Sequence, residues 1–312
     1  MTYPAICIRD LEKSYNGTRA LNGVSLEIGD GQFFGLLGPN GAGKTTTINI
    51  LSGLVLKDKG EAEVFGNDTV KQYRHTRAKI GIAAQDLPQD WFFPVEKLLY
   101  FQAGYYGLTR KKAEPNVDKL LSRLGLMEKK EARLRQLSGG MKRRYQLAKA
   151  LVHDPKIVIL DEPTAGVDVE FRHDMWKLFR ELHEEGKTIL LTTHYIEEAE
   201  MLCEEVAIID EGKIIARGKP KELTKQSGTA GITIQFTGWN ETLKLALEKF
   251  TYTIEDSRIH FTVKDPEESL PAIINILSGN GCHIQNIKTE KTSLEDVFLS
   301  LTGRGIREET AP

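Results

Sequence analysis

The chain has 312 residues, of which 40% are hydrophobic and 28% charged, and its formal net charge is −2. These values predict a globular protein with one large domain and a smaller one, and the near-neutral charge argues against nucleic acid or anionic lipid bound by bulk electrostatics. The start lacks the features of a signal peptide and no run approaches the roughly 18 apolar residues of a membrane span, so we expect any membrane role to come through a partner.

The first chemically informative segment is a glycine-rich loop between a strand and a helix. Residues 1–30 alternate as strands do, residues 32–37 are apolar, and residues 45–54 have helical periodicity. The loop between them matches a phosphate loop, in which backbone N–H groups surround phosphate oxygens. Lys44 is expected between the β- and γ-phosphates, and the Thr45 hydroxyl is an expected Mg²⁺ ligand. The predicted nucleotide-binding residues here are Gly38, Pro39, Asn40, Gly41, Ala42, Gly43, Lys44, Thr45 and Thr46.

A second turn that can bind an anion follows a mostly helical stretch. The pattern is helical from about residue 90 to 150, with Pro94 and Pro115 as expected boundaries. Within it, Ser138, Gly139 and Gly140 precede a helical run, so that a hydroxyl, free amides and the helix dipole come together. The plainer alternative is an ordinary helix cap, and the basic residues that follow, 142–144, are expected to form a solvated face.

A buried strand ending in two carboxylates comes next. Residues 157–160 are apolar and lead to Asp161, which suits Mg²⁺ coordination, and Glu162, which can act as general base on the attacking water. The alternative is that the two acids only cap the next element. Further helices and strands alternate at 168–185, 188–192, 195–203 and 206–209. This alternation predicts an α/β fold, with a mostly parallel sheet covered by helices on both faces.

The composition changes after residue 225, where residues 226–231 are small and linker-like. Beyond them we predict strand 232–236, helix 240–249, strand 251–255, strand 258–263, helix 266–279, strand 282–288 and helix 293–301. This β-α-β-β-α-β order indicates a small α+β domain of the ferredoxin-like type. The predicted organisation is a domain at 1–225 with a helical subdomain at about 90–150, a linker at 226–231 and an accessory domain at 232–312.

These motifs together resemble the nucleotide-binding subunit of an ABC transporter, over about residues 4–222. The resemblance implies a P-loop ABC ATPase core, in which an antiparallel β part and a helical subdomain accompany the main sheet, and it implies ATP and Mg²⁺ as cofactors. In that family the phosphate loop of one subunit faces the signature turn of a second, and ATP lies between them. The resemblance therefore implies a homodimer with two composite sites, where Ser138 and Gly140 contact the γ-phosphate held by Lys44 of the partner subunit.

Four further positions take roles from the resemblance. Tyr15 matches the aromatic residue that stacks on adenine, although one tyrosine near a turn is by itself more often simple packing. Gln85 matches the glutamine that senses Mg²⁺ and the attacking water, Asp168 matches the dimer-contact loop, and His194 matches the histidine that contacts the γ-phosphate. The signature departs from the usual pattern at Met141, where glutamine is common, and Gly-Val precedes Asp168 where Ala-Leu is common.

The last residues of the chain indicate a particular subclass of ABC transporter ATPases. Residues 294–303 resemble the end of drug-resistance-type ABC-2 exporter ATPases. The resemblance implies an ATP-hydrolysing motor subunit in the cytoplasm, held at the inner face of the cell membrane by separate polytopic membrane subunits, with no nucleic acid partner. The aromatic residues within 86–94 are the expected docking surface for those subunits.

Two other functional classes compete with this interpretation. The main alternative is a soluble ABC-type ATPase that acts on ribosomes or DNA rather than in transport. Such proteins typically carry two cassettes or a very long coiled-coil insertion, and the sequence has neither. A P-loop kinase or GTPase would leave the Ser138 turn and His194 without a role.

Overall fold

The computed structural model describes residues 3–86, 92–226, 230–238, 241–255, 258–263, 265–290 and 293–302. The chain divides into two compact units, with the boundary between Arg217 and Gly218. None of the helices in these described ranges combines the length and the apolar character that a membrane span requires.

The first unit alternates strands and helices for most of its length. Its strands are β1 (Ile6–Tyr15), β2 (Thr18–Ile28), β3 (Phe33–Leu37), β4 (Lys59–Val64), β5 (Asn67–Asp68), β6 (Ile80–Ala83), β7 (Ile157–Asp161), β8 (Thr188–Thr193), β9 (Glu205–Asp210) and β10 (Lys213–Gly218). Its helices are α1 (Lys44–Ser52), α2 (Tyr73–Arg77), α3 (Val95–Tyr105), α4 (Arg110–Arg123), α5 (Gly139–Leu151), α6 (Val169–Glu184) and α7 (Ile196–Leu202). The predicted strand–loop–helix context of residues 32–54 is confirmed.

An antiparallel sheet forms one side of the first unit, with strand order β2-β1-β4-β5. β1 pairs antiparallel with both β2 and β4, and Ile6 stands opposite Ile28 and Val64. Because side chains alternate between the two faces of a strand, Ile6 and Ile8 both reach the hydrophobic core. This sheet is the antiparallel β part that the family resemblance implies.

The main sheet has the strand order β10-β9-β3-β8-β7-β6 in the described chain. Neighbouring strands from β9 to β6 run parallel, with Leu37 paired to Thr193 and Asp161 paired to Thr192. Every residue of β3, β7 and β8 is buried, as expected for strands covered on both faces. The carboxyl ends of these three strands therefore meet at one edge, which is where ligands bind in open parallel sheets.

Helices α3, α4 and α5 fill the chain between β6 and β7 and pack against one another. Pro94 is the residue that caps α3, in agreement with its predicted role as a boundary. The boundary predicted at Pro115 is wrong, because Pro115 lies inside α4. The buried apolar face of α4, which includes Val117 and Leu121, packs on its neighbours and outweighs the hydrogen bond that the proline ring removes.

The second unit contains α8 (Pro220–Gln226), β11 (Ala230–Thr237), α9 (Glu241–Ala246), β12 (Thr251–Glu255), β13 (Arg258–Val263), α10 (Pro266–Gly279), β14 (His283–Glu290) and α11 (Leu294–Thr302). Its strands form an antiparallel sheet with the order β12-β13-β11-β14. In this order the first and third strands of the unit are central, which is the ferredoxin-like arrangement suggested by the sequence.

The boundary between the units lies earlier than the position expected from composition, residue 225. Helix α8 spans that position and groups with the second unit, where it contacts α11. Of the predicted linker 226–231, residues 227–229 lie outside the described residues, and Ala230 and Gly231 belong to β11. These two residues pair with Val263 and Thr262 of β13, so their backbone is fixed by the sheet.

Candidate active site

The glycine-rich loop connects β3 to α1 at the carboxyl edge of the main sheet. A Cβ at Gly38 would lie 2.2 Å from the carbonyl oxygen of Ile209, so only glycine fits there. Gly43 caps α1 with a φ of 112°, in the left-handed region that other residues rarely adopt. The loop therefore follows a path that needs glycine, and it presents the amide-rich start of a helix with no acidic residue in its first turn.

Lys44 folds back across this loop. The residue is only 4% exposed, and Nζ donates to the carbonyl oxygens of Gly38 at 2.7 Å and Pro39 at 3.0 Å. Nζ also lies 3.6 Å from Oε1 of Glu162. Burial lowers the pKa of Lys44, while the charges of Glu162 and Asp161 act in the opposite direction. The ammonium group of Lys44 is thus held against the backbone of the phosphate loop.

Glu162 is the centre of the cluster. Its Oε2 accepts a hydrogen bond from Nε2 of Gln85 at 3.0 Å and lies 3.3 Å from Nδ1 of His194. The interaction with His194 is the largest cause of a lowered pKa at Glu162, and Lys44 contributes in the same direction against the effect of burial. The backbone of Glu162 has a φ of 47°, a strained conformation for a non-glycine residue and one that is common at functional sites.

Asp161 precedes this cluster at the end of β7. It is buried, and it accepts a hydrogen bond from the hydroxyl of Thr192 on the adjacent strand β8. Burial raises the pKa of Asp161, and the hydrogen bond from Thr192 opposes that effect. The side chain thus provides a carboxylate at the same sheet edge as Glu162.

The Ser138 turn begins α5 separately from this cluster. Ser138 caps the helix, and its Oγ accepts a hydrogen bond from the N–H of Met141 at 3.2 Å. Within the described ranges, no hydrogen bond or ion pair joins residues 138–140 to Lys44 or Glu162. The structure therefore brings together the predicted phosphate loop, acidic strand, Gln85 and His194 in one chain, but not the signature turn.

Two residues of α5 that the sequence analysis did not use hold the segment around Gln85. Arg143 donates from its guanidinium to the carbonyl oxygens of Gln85 and Ala165, and Gln146 donates to the carbonyl oxygen of Ala84 at 2.9 Å. The expectation that residues 142–144 form a solvated face is wrong for Arg143, because these carbonyl groups occupy its guanidinium. The available signal was the spacing of Arg143 and Gln146, which places them on one helix face.

Tyr15 and Asp168 each lie at the end of an element. Tyr15 ends β1 and is 43% exposed, and Nζ of Lys13 lies 5.4 Å from the ring centroid. Asp168 caps α6, and its side chain accepts a hydrogen bond from the N–H of Phe171 at 2.8 Å. The structure gives Asp168 a capping role in addition to the one inferred from the resemblance.

An aromatic surface lies before and on α3. Trp91 falls outside the described residues, while Phe92 is 79% exposed and Phe93 packs edge-to-face on Phe101 with ring centroids 5.1 Å apart. Tyr105, further along α3, is 85% exposed. Exposed aromatic residues at this density are typical of interaction surfaces.

Comparison with known protein families matches two models to this chain. Residues 21–165 match the family "ABC transporter", and residues 218–302 match "ATP-binding protein DrrA1-3-like, C-terminal domain". The second match covers the described part of the second compact unit. Both family matches therefore support the expected transport class.

Individual relatives agree with these matches. The chain is 38% identical to the Nod factor export ATP-binding protein I of Burkholderia lata over 310 residues, which are 99% of this chain and 100% of that one. It is 33% identical to the linearmycin resistance ATP-binding protein LnrL of Bacillus subtilis over 307 residues, 96% of this chain and 98% of that one. A solved structure described as the ATP binding subunit of an ABC transporter superposes with a TM-score of 0.66 at 26% identity, covering 71% of this chain and 92% of that one.

The site geometry and the relatives lead to the same family. The phosphate loop, the acidic strand and the residues around Glu162 lie together at the carboxyl edge of the main sheet, and the similarity extends over nearly the whole chain. The protein belongs to the ATP-binding subunits of ABC transporters and is an ATPase of that family, with a DrrA-like C-terminal domain.

Proposed function

We propose that the protein is the motor of an ABC-2 type exporter and that it acts as a homodimer with two composite ATP sites. The observation that carries this proposal is the separation within one chain between the Glu162 cluster and the exposed Ser138 turn. A second copy supplies the turn that each cluster lacks. The export part rests on the names of the relatives, which refer to Nod factor export and linearmycin resistance.

The phosphate loop provides the binding half of each site. Backbone N–H groups of residues 40–46 surround the β- and γ-phosphates, and Nζ of Lys44 exchanges its loop carbonyl partners for phosphate oxygens. Ser138, Gly139 and Gly140 of the other copy contact the γ-phosphate through the hydroxyl and the amides at the start of α5. Tyr15 stacks on adenine. Asp168 contributes to the contact between the two copies.

The hydrolytic half centres on Glu162. Because its pKa is lowered, the carboxylate is ionised near neutral pH and can accept a proton from the attacking water. Gln85 and His194 both approach Oε2, so they fix the direction of the carboxylate. His194 also contacts the γ-phosphate, which links nucleotide binding to the position of Glu162. Closure of the dimer then follows from the higher affinity of ATP for the closed state.

The residues expected to bind Mg²⁺ have suitable chemistry. Thr45 offers a hydroxyl, Asp161 a carboxylate and Gln85 a side-chain carbonyl, all of them oxygen ligands. Asp161 is buried at the sheet edge, and the raised pKa of its carboxyl group shows that this edge disfavours an uncompensated negative charge. A divalent cation would offset that charge and neutralise the phosphates.

The membrane partners are separate polytopic subunits. We assign their docking surface to the aromatic residues Phe92, Phe93 and Tyr105, which are exposed in this chain. Phe92 and Phe93 follow Gln85 closely in sequence, so that docking and the hydrolytic cluster can affect one another. Attachment through these subunits would hold the protein at the cytoplasmic face of the cell membrane, and no nucleic acid is required.

Copurification from native membranes tests the proposed membrane partners. Recovery of ribosomes or DNA in place of a membrane protein would contradict the proposal.

Mixed dimers test the composite site directly. Two differently tagged populations allow purification of a dimer with Lys44→Ala in one copy and Ser138→Ala in the other. If sites are composite, both changes fall in one site and the second site stays intact, so the dimer keeps about half of the wild-type ATPase rate.

The matched control is a dimer that carries both changes in one copy and none in the other. Each composite site then contains one change, so this dimer should lose most of its activity. If each chain contained a complete site instead, the ranking of the two dimers would reverse. The order of their ATPase rates therefore decides between the two arrangements.

A further inference from the structure

A buried carboxyl group outside the Glu162 cluster has no role in the chemistry described above. Glu198 lies on α7 with no solvent exposure. Its Oε1 accepts hydrogen bonds from Oγ1 of Thr164 and from Nε1 of Trp176, both at 3.0 Å. Burying an ionisable group costs stability unless it is well paired and all of its polar atoms are hydrogen-bonded.

These contacts join three segments of the site. Thr164 follows Glu162 by two positions, and Glu198 follows His194 by four. Trp176 lies on α6, the helix that Asp168 caps. One carboxyl oxygen thus links the segments that carry Glu162 and His194 to the helix that begins at Asp168.

Stability alone does not account for Glu198. Its Oε2 is buried without a hydrogen-bond partner among the described residues. Burial raises the pKa of the carboxyl group, although nearby hydrogen-bonding side chains, Thr193 first among them, and then the charge of Arg172 act in the opposite direction. An apolar side chain of similar size would avoid both penalties. What an apolar side chain lacks is an acceptor for the hydroxyl of Thr164.

The position of that hydroxyl matters for the distance between Glu162 and His194. The two side chains are 3.3 Å apart, but they follow the ends of different strands, β7 and β8. Glu162 also has a strained backbone, which persists only where the surrounding contacts hold it. The Thr164–Glu198 hydrogen bond is a contact of this kind, and it connects the two segments immediately behind the cluster.

We propose that Glu198 is a positioning residue, whose hydrogen bond with Thr164 fixes the separation of Glu162 and His194 and thereby the rate of ATP hydrolysis. Glu198 has no contact with nucleotide in this scheme. The inference rests on the proposed roles of Glu162 and His194. It predicts that breaking the bond lowers turnover without weakening ATP binding.

The test compares Thr164→Val, which removes the hydroxyl, with Thr164→Ser, which keeps it. Misplacement of reacting groups by about 1 Å can cost roughly 10²-fold in rate. We expect Thr164→Val to lower kcat by about 10- to 100-fold, with KM and the Kd for ATP within about twofold of wild type. Thr164→Ser should restore most of kcat. Glu198→Gln, which retains a carbonyl oxygen as acceptor, should be closer to wild type than Glu198→Leu.

A buried threonine elsewhere provides the structural control. Thr76 on α2 is also fully buried, and its hydroxyl donates to the carbonyl oxygen of Tyr73 at 3.1 Å. Thr76→Val should have a kcat within about twofold of wild type per folded molecule. The thermal midpoint of every variant is measured alongside its kinetics, so that a loss of folded protein is separated from a loss of rate.

The proposal is overturned if Thr164→Val keeps the wild-type kcat, or if Thr164→Ser is as slow as Thr164→Val. A rise in KM with unchanged kcat would also overturn it, since that result indicates a binding role. Glu162→Gln is assayed in parallel as an independent control. Normal turnover by that variant would refute the proposed chemistry itself, whereas the Thr164 pair reports only on positioning.

Discussion

The two compact units of this protein bury different kinds of side chain. In the described residues, the buried charged groups are Lys44, Asp161, Glu162 and Glu198, and all of them belong to the first unit. The core of the second unit contains apolar residues and a cysteine. Its buried members include Ile232, Ile234, Phe236, Leu243, Leu247, Ile259, Phe261, Val263, Ile273, Leu277 and Cys282.

This difference indicates where the chemistry of the molecule resides. Burial of an ionisable group is costly, and the cost is tolerated mainly where a reaction or a specific contact needs that group. The first unit places its buried charges at the carboxyl edge of the main sheet or on the helix behind it. The second unit gains stability from apolar packing, so we expect it to affect stability or binding rather than the chemical step.

The largest effect is expected from the centre of the charged cluster. Glu162→Gln keeps the shape of the side chain but removes the base and the partner of Lys44 and His194. Turnover should fall by roughly 10²- to 10⁴-fold while ATP remains bound, which steady-state ATPase assays and equilibrium binding measure separately. A variant that hydrolyses ATP at the wild-type rate would remove Glu162 from the role of base.

A change in the core of the second unit should lower stability without affecting ATP binding. Phe261 is almost fully buried between neighbours on the antiparallel sheet, and Phe261→Ala should cost about 3–5 kcal/mol of unfolding free energy. We expect a thermal transition of the second unit to move or disappear in calorimetry, while ATP binding by the first unit remains. Thr262→Ala, at the adjacent exposed position, is the control. Loss of ATP binding in Phe261→Ala alone would contradict the division of roles.

The sequence predicted the parts of the site whose chemistry is local. The phosphate loop, the strand ending in Asp161 and Glu162, and the Ser138 cap are each encoded by a few consecutive residues, and their elements are confirmed in the structure. The contacts of Arg143 and Glu198 were not predicted, because they join segments distant in sequence. Their formation depends on the packing of α5, α6 and α7, which no short motif specifies.

Local sequence also failed to predict the course of the chain at Pro115 and at the boundary between the two units. Pro115 has the local signature of a helix end, but the buried face of α4 continues through it. Residues 226–231 have the composition of a linker, but Ala230 and Gly231 gain partners in β13. In both places tertiary contacts outweigh the local preference of the chain.

A smaller effect, sensitive to pH, is expected from His153 in the first unit. Its Nε2 donates to the carbonyl oxygen of Ile80 at 3.0 Å, and its ring stacks on Tyr106 with centroids 3.5 Å apart. Burial lowers the pKa of His153 from 6.5 to about 4. Between these two values the unfolded chain binds a proton that the folded chain does not, so stability should fall as pH decreases from about 6.5 to 4, by up to about 3 kcal/mol.

Urea unfolding at a series of pH values measures this dependence. Carboxylates such as Glu162, whose pKa is lowered in the folded state, also lose their contribution at acid pH. The comparison with His153→Phe isolates the histidine, because the variant retains an aromatic ring beside Tyr106 but has no titrating group. The wild type should lose more stability than the variant between pH 7 and pH 4.5. If the free energy of unfolding changes equally with pH in the two proteins, His153 does not contribute to the pH dependence of stability.

The smallest effect comes from a pair of matched helix caps, one in each unit. Asp168 caps α6 by accepting a hydrogen bond from Phe171 N at 2.8 Å, and Asp265 caps α10 by accepting one from Glu267 N, also at 2.8 Å. Removal of either cap by substitution with alanine should cost about 1 kcal/mol of stability. Urea unfolding of the two variants should therefore give similar losses.

The ATPase rate should nevertheless distinguish them, because only Asp168 lies on the proposed contact between two copies. Asp168→Ala should reduce turnover beyond the loss of folded protein, whereas Asp265→Ala should retain the wild-type kcat. Asp168→Asn keeps a capping oxygen without the charge, so it separates the helix cap from the dimer contact. Equal ATPase rates for Asp168→Ala and Asp265→Ala would mean that Asp168 acts only as a helix cap. The start of α6 would then contribute to stability, as α10 of the second unit does, and not to ATP hydrolysis.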